Sequence, residues 1–445
     1  MHSVLDLLFT TDAMREVFSD RARIQRMLDF EAALARAEAL VGVIPGDAAD
    51  TIGRCCRADD FDLAKIAVAA RDAGNIAIPL IARLTERVAR AQPGAQGYVH
   101  WGATSQDVID TGLVLQLRDA LALIETDATR LADALARQTS IHRATLIAGR
   151  TWLQQALPIT LGLKLATTLA ALDRHRARIA ALRERALVLQ FGGAAGTLAS
   201  LGPKAIAVET ALAAELALKI PALPWHTQRD NLVEVATFLG LIVATVGKLA
   251  HDLALLMQTE VGEAFEAAKA GRGGSSTMPH KRNPVGAAIA LAAAVRVPGL
   301  VATMLSAAVQ EHERGLGNWP AEWDTLPEIV LLAAGALDTM ANVVEGLEVD
   351  VARMRANLEI SQGQIFAEAV QMALAPALGR DAAHELVASA SRRARSERRH
   401  LREVLAEESR VTAVLDRDAI GRLFDPPSYL GSTDAFIDRA LASRG

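Results

Sequence analysis

What most constrains this chain is a set of long stretches, rich in alanine and leucine, that carry apolar residues around most of a helix. The spacing predicts helices over about 107–146, 158–190, 231–268, 285–310 and 323–345. In the third stretch Leu232, Val235, Ala236, Leu239 and Val243 follow helical steps of three and four residues. A helix that is apolar on several faces is packed on several sides. Five of them predict a bundle, and one that buries further surface against other copies of itself. Hydrophobic residues make up 51% of the chain but aromatics only 4%, so the apolar bulk lies in helix formers and the expected class is all-α. At 445 residues the chain exceeds one ordinary domain. The expected division is an N-terminal helical domain over 1–103, a central bundle of five long helices over 104–352, which is also the oligomerisation core, and a small C-terminal helical domain over 353–445.

Charge and cysteine usage narrow the functional classes. A net charge of −5 gives no reason to expect nucleic-acid binding. The arginine-rich run over 392–402 is interrupted by Glu397 and Glu403, which suits a solvated helix face. No uninterrupted apolar run reads as long enough to span a bilayer, so no membrane partner is expected. The start, Met1-His2-Ser3-Val4-Leu5-Asp6, lacks the charged-then-apolar order of a secretory signal. Cys55 and Cys56 are adjacent, a poor disulfide pair, and no second cluster has zinc spacing. These features predict a cytoplasmic protein with no metal and no cofactor.

The chemistry concentrates where the helices break. Residues 271–284 hold three glycines and two prolines, together with serines, a threonine, a histidine, a lysine, arginines and an asparagine. Glycines let backbone N–H groups converge on an anion, and the helix start that follows adds its positive end. A second polar cluster runs from Tyr98 to Thr111. In it Thr104 or Ser105 can cap the next helix or hold a carboxylate, and His100 is a further candidate. Gly149 to Pro158 forms another break, with Pro158 placed near a first helical turn. The glycines of Phe191 to Leu198 permit close approach, either to a ligand or to another helix. Arg229 reads either as an anion clamp or as a partner of Asp230.

The run Gly274-Ser275-Ser276-Thr277-Met278-Pro279-His280-Lys281-Arg282-Asn283-Pro284 resembles the signature loop of the fumarase/aspartase superfamily. The Arg15 region, His100–Thr111, Gly149–Pro158, Gly192–Thr197 and Gln228–Asp230 resemble its other segments in order and spacing. The resemblance implies three helical domains, a homotetramer, and active sites shared between subunits. It also implies a reaction in which a bond β to a carboxylate is broken or formed. Ser276 matches the residue that moves the α-proton, Lys281 and Asn283 match those that stabilise the enediolate, and Thr104 and Ser105 match a carboxylate-binding segment.

Two departures select a branch. The lyases that act on adenylosuccinate and argininosuccinate carry a histidine in the segment Gly-Arg-Thr-His-Gly-Gln, and here that position is Trp152, which cannot shuttle protons. The serine-rich segment that grips a nucleotide phosphate is replaced by Glu313-Arg314-Gly315-Leu316-Gly317-Asn318-Trp319-Pro320-Ala321-Glu322-Trp323. The resemblance therefore implies the cycloisomerase branch, in which one carboxylate of an unsaturated tricarboxylate adds to the substrate's own double bond. On this reading Ser276 donates the closing proton. Arg15, Thr104, Ser105, Gln154 and Arg314 hold carboxylates, and Trp152 shapes the pocket. His100 is a rival acid, and His142 a more remote one. Two alternatives stand: a lyase acting on a succinyl compound such as adenylosuccinate, and a non-catalytic helical scaffold.

Overall fold

The computed structural model describes residues 5–267, 273, 274, 278 and 280–442. The five longest helices are Ser105–Ile141, Leu161–Ala186, Asp230–Leu256, Val285–Ala307 and Asn318–Glu345. All-α architecture and a framework of five long helices are as expected. Their ends differ from the pattern-based ones by several residues, because the apolar pattern runs on into turns. The Ser105 helix stops at Ile141, where Gly162 N donates to the His142 carbonyl at 2.9 Å.

One element was not foreseen. Leu146–Thr151 and Gln154–Thr160 form an antiparallel hairpin. Pro158 lies in its second strand, opposite Ala148, and not in a helix. A proline is admissible there because the sheet has only two strands and every strand is an edge. The register shifts by a bulge between Ala148 and Arg150, which breaks the alternation a strand would show in sequence.

Two compact units make up the chain, each assembled from three stretches. The first comprises residues 1–129, 175–247 and 289–339. Its interior includes Met27, Leu28, Phe30 and Leu34 of the helix Asp20–Leu40, which Ser19 caps by accepting from Ala22 N at 3.1 Å. Phe30 meets Phe191 edge-on at 6.3 Å. The second comprises 130–174, 248–288 and 340–445. It has a core of its own around Ile365, Phe366, Leu374, Leu386, Leu401 and Leu405. On its surface, Arg399 pairs with Glu397, Glu403 and Glu407, the solvated face expected of the arginine-rich run.

The expectation that no stretch could span a membrane needs correction. Asp230–Leu256, Val285–Ala307 and Asn318–Glu345 are each long and apolar enough by length and composition. Sparse charges let these helices read continuously apolar, which a search for uninterrupted runs misses. The first and third bury most of that surface within the protein.

Candidate active site

The first unit gathers several expected site residues at the start of the helix Ser105–Ile141. Asp107, fully buried, reaches back to accept from Thr104 N at 3.0 Å. That is one half of a reciprocal cap, with Thr104 at the N-cap position. The same carboxylate accepts from Gly192 N at 3.0 Å, Gly193 N at 2.9 Å and His226 Nε2 at 2.8 Å. A single side chain thus fastens two loops to one helix start. Thr104 and Ser105 are half-buried, and their hydroxyls bond to no described residue. They remain available to a ligand at a helix N-terminus, where anions are favoured.

The glycines of the 192–196 loop serve this packing. A Cβ on Gly192 would lie 2.8 Å from both His226 Cε1 and Pro224 Cβ, and one on Gly193 would lie 2.9 Å from the Gly102 carbonyl. The close approach is to neighbouring loops. Arg314 also joins the cluster, donating from Nε to Gln106 Oε1 at 3.0 Å and from a terminal nitrogen to the Ala194 carbonyl at 3.2 Å.

His100 lies just before this helix start with φ +58°, a left-handed conformation unusual for a non-glycine residue. Its Nδ1 is 2.6 Å from Glu31 Oε1. Burial pulls the imidazole toward its neutral form, but Glu31, and more weakly Asp107, outweigh it and hold the proton more tightly than usual. Arg15 takes another position in the same unit. It donates to Asp12 at 2.7 Å and lines a cleft of about 900 Å³ with Phe9, Arg21 and Arg296.

Arg229 is neither an anion clamp nor a partner of Asp230. It is fully buried and makes two bonds to Asp110, at 2.6 and 3.0 Å, and others to Glu322, the shortest 2.6 Å. Its guanidinium also lies over Trp225 at 4.9 Å. Burial opposes its charge, and the two carboxylates overcome that opposition. Such a group is buried and held between two carboxylates of the fold, so its charge is compensated there and not aimed at a substrate.

The second unit carries Trp152, Gln154, Lys281 and Asn283. Trp152 and Leu153 are the hairpin tip, at φ +53° and +64°, and are 97% and 72% exposed. Gln154 is exposed beside them. Beneath the tip, Arg150 makes two bonds to the buried Glu263 at 2.7 and 2.9 Å, and Asn357 donates to the same carboxylate at 2.8 Å.

The ends of the signature loop are tied down. Asn283 N donates to the Gly273 carbonyl at 2.8 Å. Arg282 donates to the Glu266 carbonyl at 2.5 Å and to Glu348 at 2.8 Å, and it lies over the Phe265 ring at 4.9 Å. The N-terminal amides of Val285–Ala307, expected to face an anion, are otherwise engaged: Gly286 N and Ala287 N donate to the Glu266 carboxylate at 3.0 and 2.9 Å. Lys281 is exposed and makes no ion pair with a described residue, and Asn283 is half-buried. Ser276 lies outside the described residues.

Asp107, Glu31, Glu263 and Glu266 are the residues that sequence reasoning passed over. Their partners lie far along the chain, 69 residues away for Glu31 and His100 and 113 for Glu263 and Arg150. Asp107 gave a local signal, three residues after the capping Thr104.

Comparison with known proteins follows the same lines. A family described as "Lyase" matches residues 8–299, and one described as "Adenylosuccinate lyase C-terminus" matches residues 363–440. A 3-carboxy-cis,cis-muconate cycloisomerase of Pseudomonas aeruginosa is 58% identical over 99% of this chain and 96% of its own. The crystal structure of 3-carboxy-cis,cis-muconate lactonizing enzyme from Pseudomonas putida superposes with a TM-score of 0.94 at 54% identity, covering 99% of both chains. That of a fumarate lyase from Mesorhizobium superposes at 0.89 with 41% identity, covering 98% of both. The chain therefore belongs to the lyase family of the fumarase/aspartase superfamily, alongside the 3-carboxy-cis,cis-muconate cycloisomerases.

Proposed function

We propose that the protein is a cycloisomerase that closes 3-carboxy-cis,cis-muconate to 4-carboxymuconolactone, a step of protocatechuate degradation. The observation that carries this reading is Trp152 at the tip of its hairpin, 97% exposed, in a segment whose lyase counterpart bears a histidine. An indole cannot move a proton, but it can shape the space in which a flexible tricarboxylate folds back on itself. The whole-length likeness to enzymes bearing the cycloisomerase name supports the same reading.

In this reaction a substrate carboxylate oxygen adds to the carbon–carbon double bond. Negative charge builds on the adjacent carbon and its carboxylate, and a donor then protonates that carbon. Lys281 and Asn283 stabilise the enediolate, and Ser276 supplies the proton. Thr104, Ser105, Gln154, Arg15 and Arg314 hold the remaining carboxylates. The hydroxyls at the Ser105 helix start and the Lys281 ammonium, which pair with no described residue, suit these roles. We assign the working form as a cytoplasmic homotetramer whose sites draw residues from several copies, with domains at 1–103, 104–352 and 353–445.

Purified protein is expected to consume 3-carboxy-cis,cis-muconate in a spectrophotometric assay. Ser276→Ala is expected to lower kcat by about a hundredfold or more, the usual worth of a positioned proton donor. Normal turnover by Ser276→Ala, with loss in His100→Asn, would transfer the acid's role to His100. The match of residues 363–440 to an adenylosuccinate lyase C-terminus favours assaying adenylosuccinate beside it. Turnover of adenylosuccinate and not of the muconate would replace the reading.

A further inference from the structure

Glu31 is a buried carboxylate to which the proposed mechanism gives no task. Its side chain is 0% exposed, on the helix Asp20–Leu40. One oxygen, Oε1, is 2.6 Å from His100 Nδ1, and the other, Oε2, has no partner among the described residues. A carboxylate kept half-satisfied in the interior costs free energy, so its contact with His100 is the compensation the fold provides.

The contact determines what the imidazole can present. A carboxylate at this distance requires the proton on Nδ1 in the neutral ring and in the charged one. The far nitrogen, Nε2, bonds to no described residue. The side chain keeps 17% exposure. The ring is thus anchored at its inner end and open at its outer end. It sits at the left-handed turn that leads to Thr104 and Ser105, whose hydroxyls bond to no described residue. Backbone strain of this kind persists where the surroundings over-determine it.

The groups facing this pair are few. Asp107 faces His100 from the start of the Ser105 helix and is itself held by Gly192, Gly193 and His226. Glu38, two turns along the same helix as Glu31, and Cys56 face Glu31. Burial first, and Glu31 second, push both of those toward their protonated forms. Asp29 and Arg36 also act on Cys56, in opposite senses.

We infer that Glu31 is a positioning residue: it fixes His100 so that the protonated ring presents Nε2–H to a carboxylate of the substrate bound at Thr104 and Ser105. The inference rests on the proposed carboxylate-binding role of that segment.

Glu31→Gln tests it, because the amide oxygen still accepts from Nδ1–H while the charge is lost. Two readouts are needed. The first is the pH dependence of His100 carbethoxylation by diethyl pyrocarbonate, followed by peptide mapping on the substrate-free enzyme. Its midpoint is expected to move to lower pH in Glu31→Gln. The second is steady-state turnover of 3-carboxy-cis,cis-muconate. KM is expected to rise about tenfold, the worth of one hydrogen bond to a charged group, with kcat changed far less. The alkaline rise of KM should begin at lower pH. In a His100→Gln background the Glu31→Gln change should have no further effect on KM.

An unchanged carbethoxylation midpoint, an unchanged KM, or equal losses in both His100 backgrounds would overturn the assignment. A wild-type enzyme that does not convert the muconate would instead overturn the proposed reaction. The carbethoxylation midpoint would then still decide whether Glu31 governs His100.

Discussion

Glu38 is fully buried, and neither of its oxygens has a hydrogen-bond partner among the described residues. Burial, reinforced by Glu31 seven residues earlier, pushes its carboxyl up to about 9 from 4.5. In the folded protein it therefore keeps its proton across the neutral range, while in the unfolded chain it loses it near 4.5. Folding then takes up a proton between those values, and the native state binds more protons than the unfolded one. The contribution to stability is complete below about 4.5 and is lost progressively as pH rises toward about 9. The slope for one such group reaches about 1.4 kcal/mol per pH unit. Glu38→Gln, which has the shape of the neutral acid, is expected to be more stable than wild type at pH 8 and to show a flatter profile from pH 5 to 9. Urea midpoints at several pH values measure this. Parallel profiles for the two proteins would show that Glu38 is solvated and ordinary.

Elements show where sequence reading succeeds and where it stops. The long helices were legible because their apolar positions repeat over many turns, and the helix start at Thr104 because hydroxyl residues stand just before the pattern begins. The hairpin over 146–160 was not. Gly149 and Pro158 read locally as helix punctuation, and the bulge erased the alternation of a strand. Arg229 was placed wrongly for a related reason. Its true partners, Asp110 and Glu322, lie 119 and 93 residues away, while Asp230 is adjacent. The signature loop gave its chemistry through a resemblance, but the engagement of Gly286 and Ala287 by Glu266 has no mark in the local order of residues.

Gly335 offers a test at this scale. It sits within Asn318–Glu345, and a Cβ there would lie 2.1 Å from the Phe9 carbonyl oxygen. That is backbone meeting backbone, which no rotamer can relieve. Away from such a crossing, an alanine in mid-helix is preferred over glycine by about 1 kcal/mol. Here the sign should reverse. Gly335→Ala must displace the segment that leads into the helix Asp12–Val17, which carries Arg15. The expected result is a loss of at least about 2 kcal/mol on chemical unfolding, with faster proteolysis near residue 10. A stability gain would show that the helix and the N-terminal segment are not in contact in solution.

At the scale of the whole molecule, Val285–Ala307 poses the outstanding question, since it is apolar enough to cross a bilayer yet only 28% of that window is buried within the chain. Val295 is 80% exposed, and Leu305 and Val309 are open as well. A continuous apolar face of this kind needs cover, from lipid or from protein. Arg296 argues against lipid: it stands midway along the helix and pairs with Glu328, an arrangement that is costly in hydrocarbon. A second copy of the chain covers such a face without that penalty, and it is what the proposed homotetramer requires. Val295→Asp would place a charge in that contact. Desolvating an unpaired carboxylate there costs several kcal/mol, enough to shift an assembly at micromolar concentration. Sedimentation velocity is expected to show a tetramer for the wild type and smaller species for Val295→Asp, with helical content retained and turnover lost along with assembly. Val295→Ala, which removes two methyl groups and adds no charge, should remain assembled. If the wild type sediments as a monomer, or Val295→Asp as an intact tetramer, this face does not join the copies and the sharing of sites between them loses its structural basis.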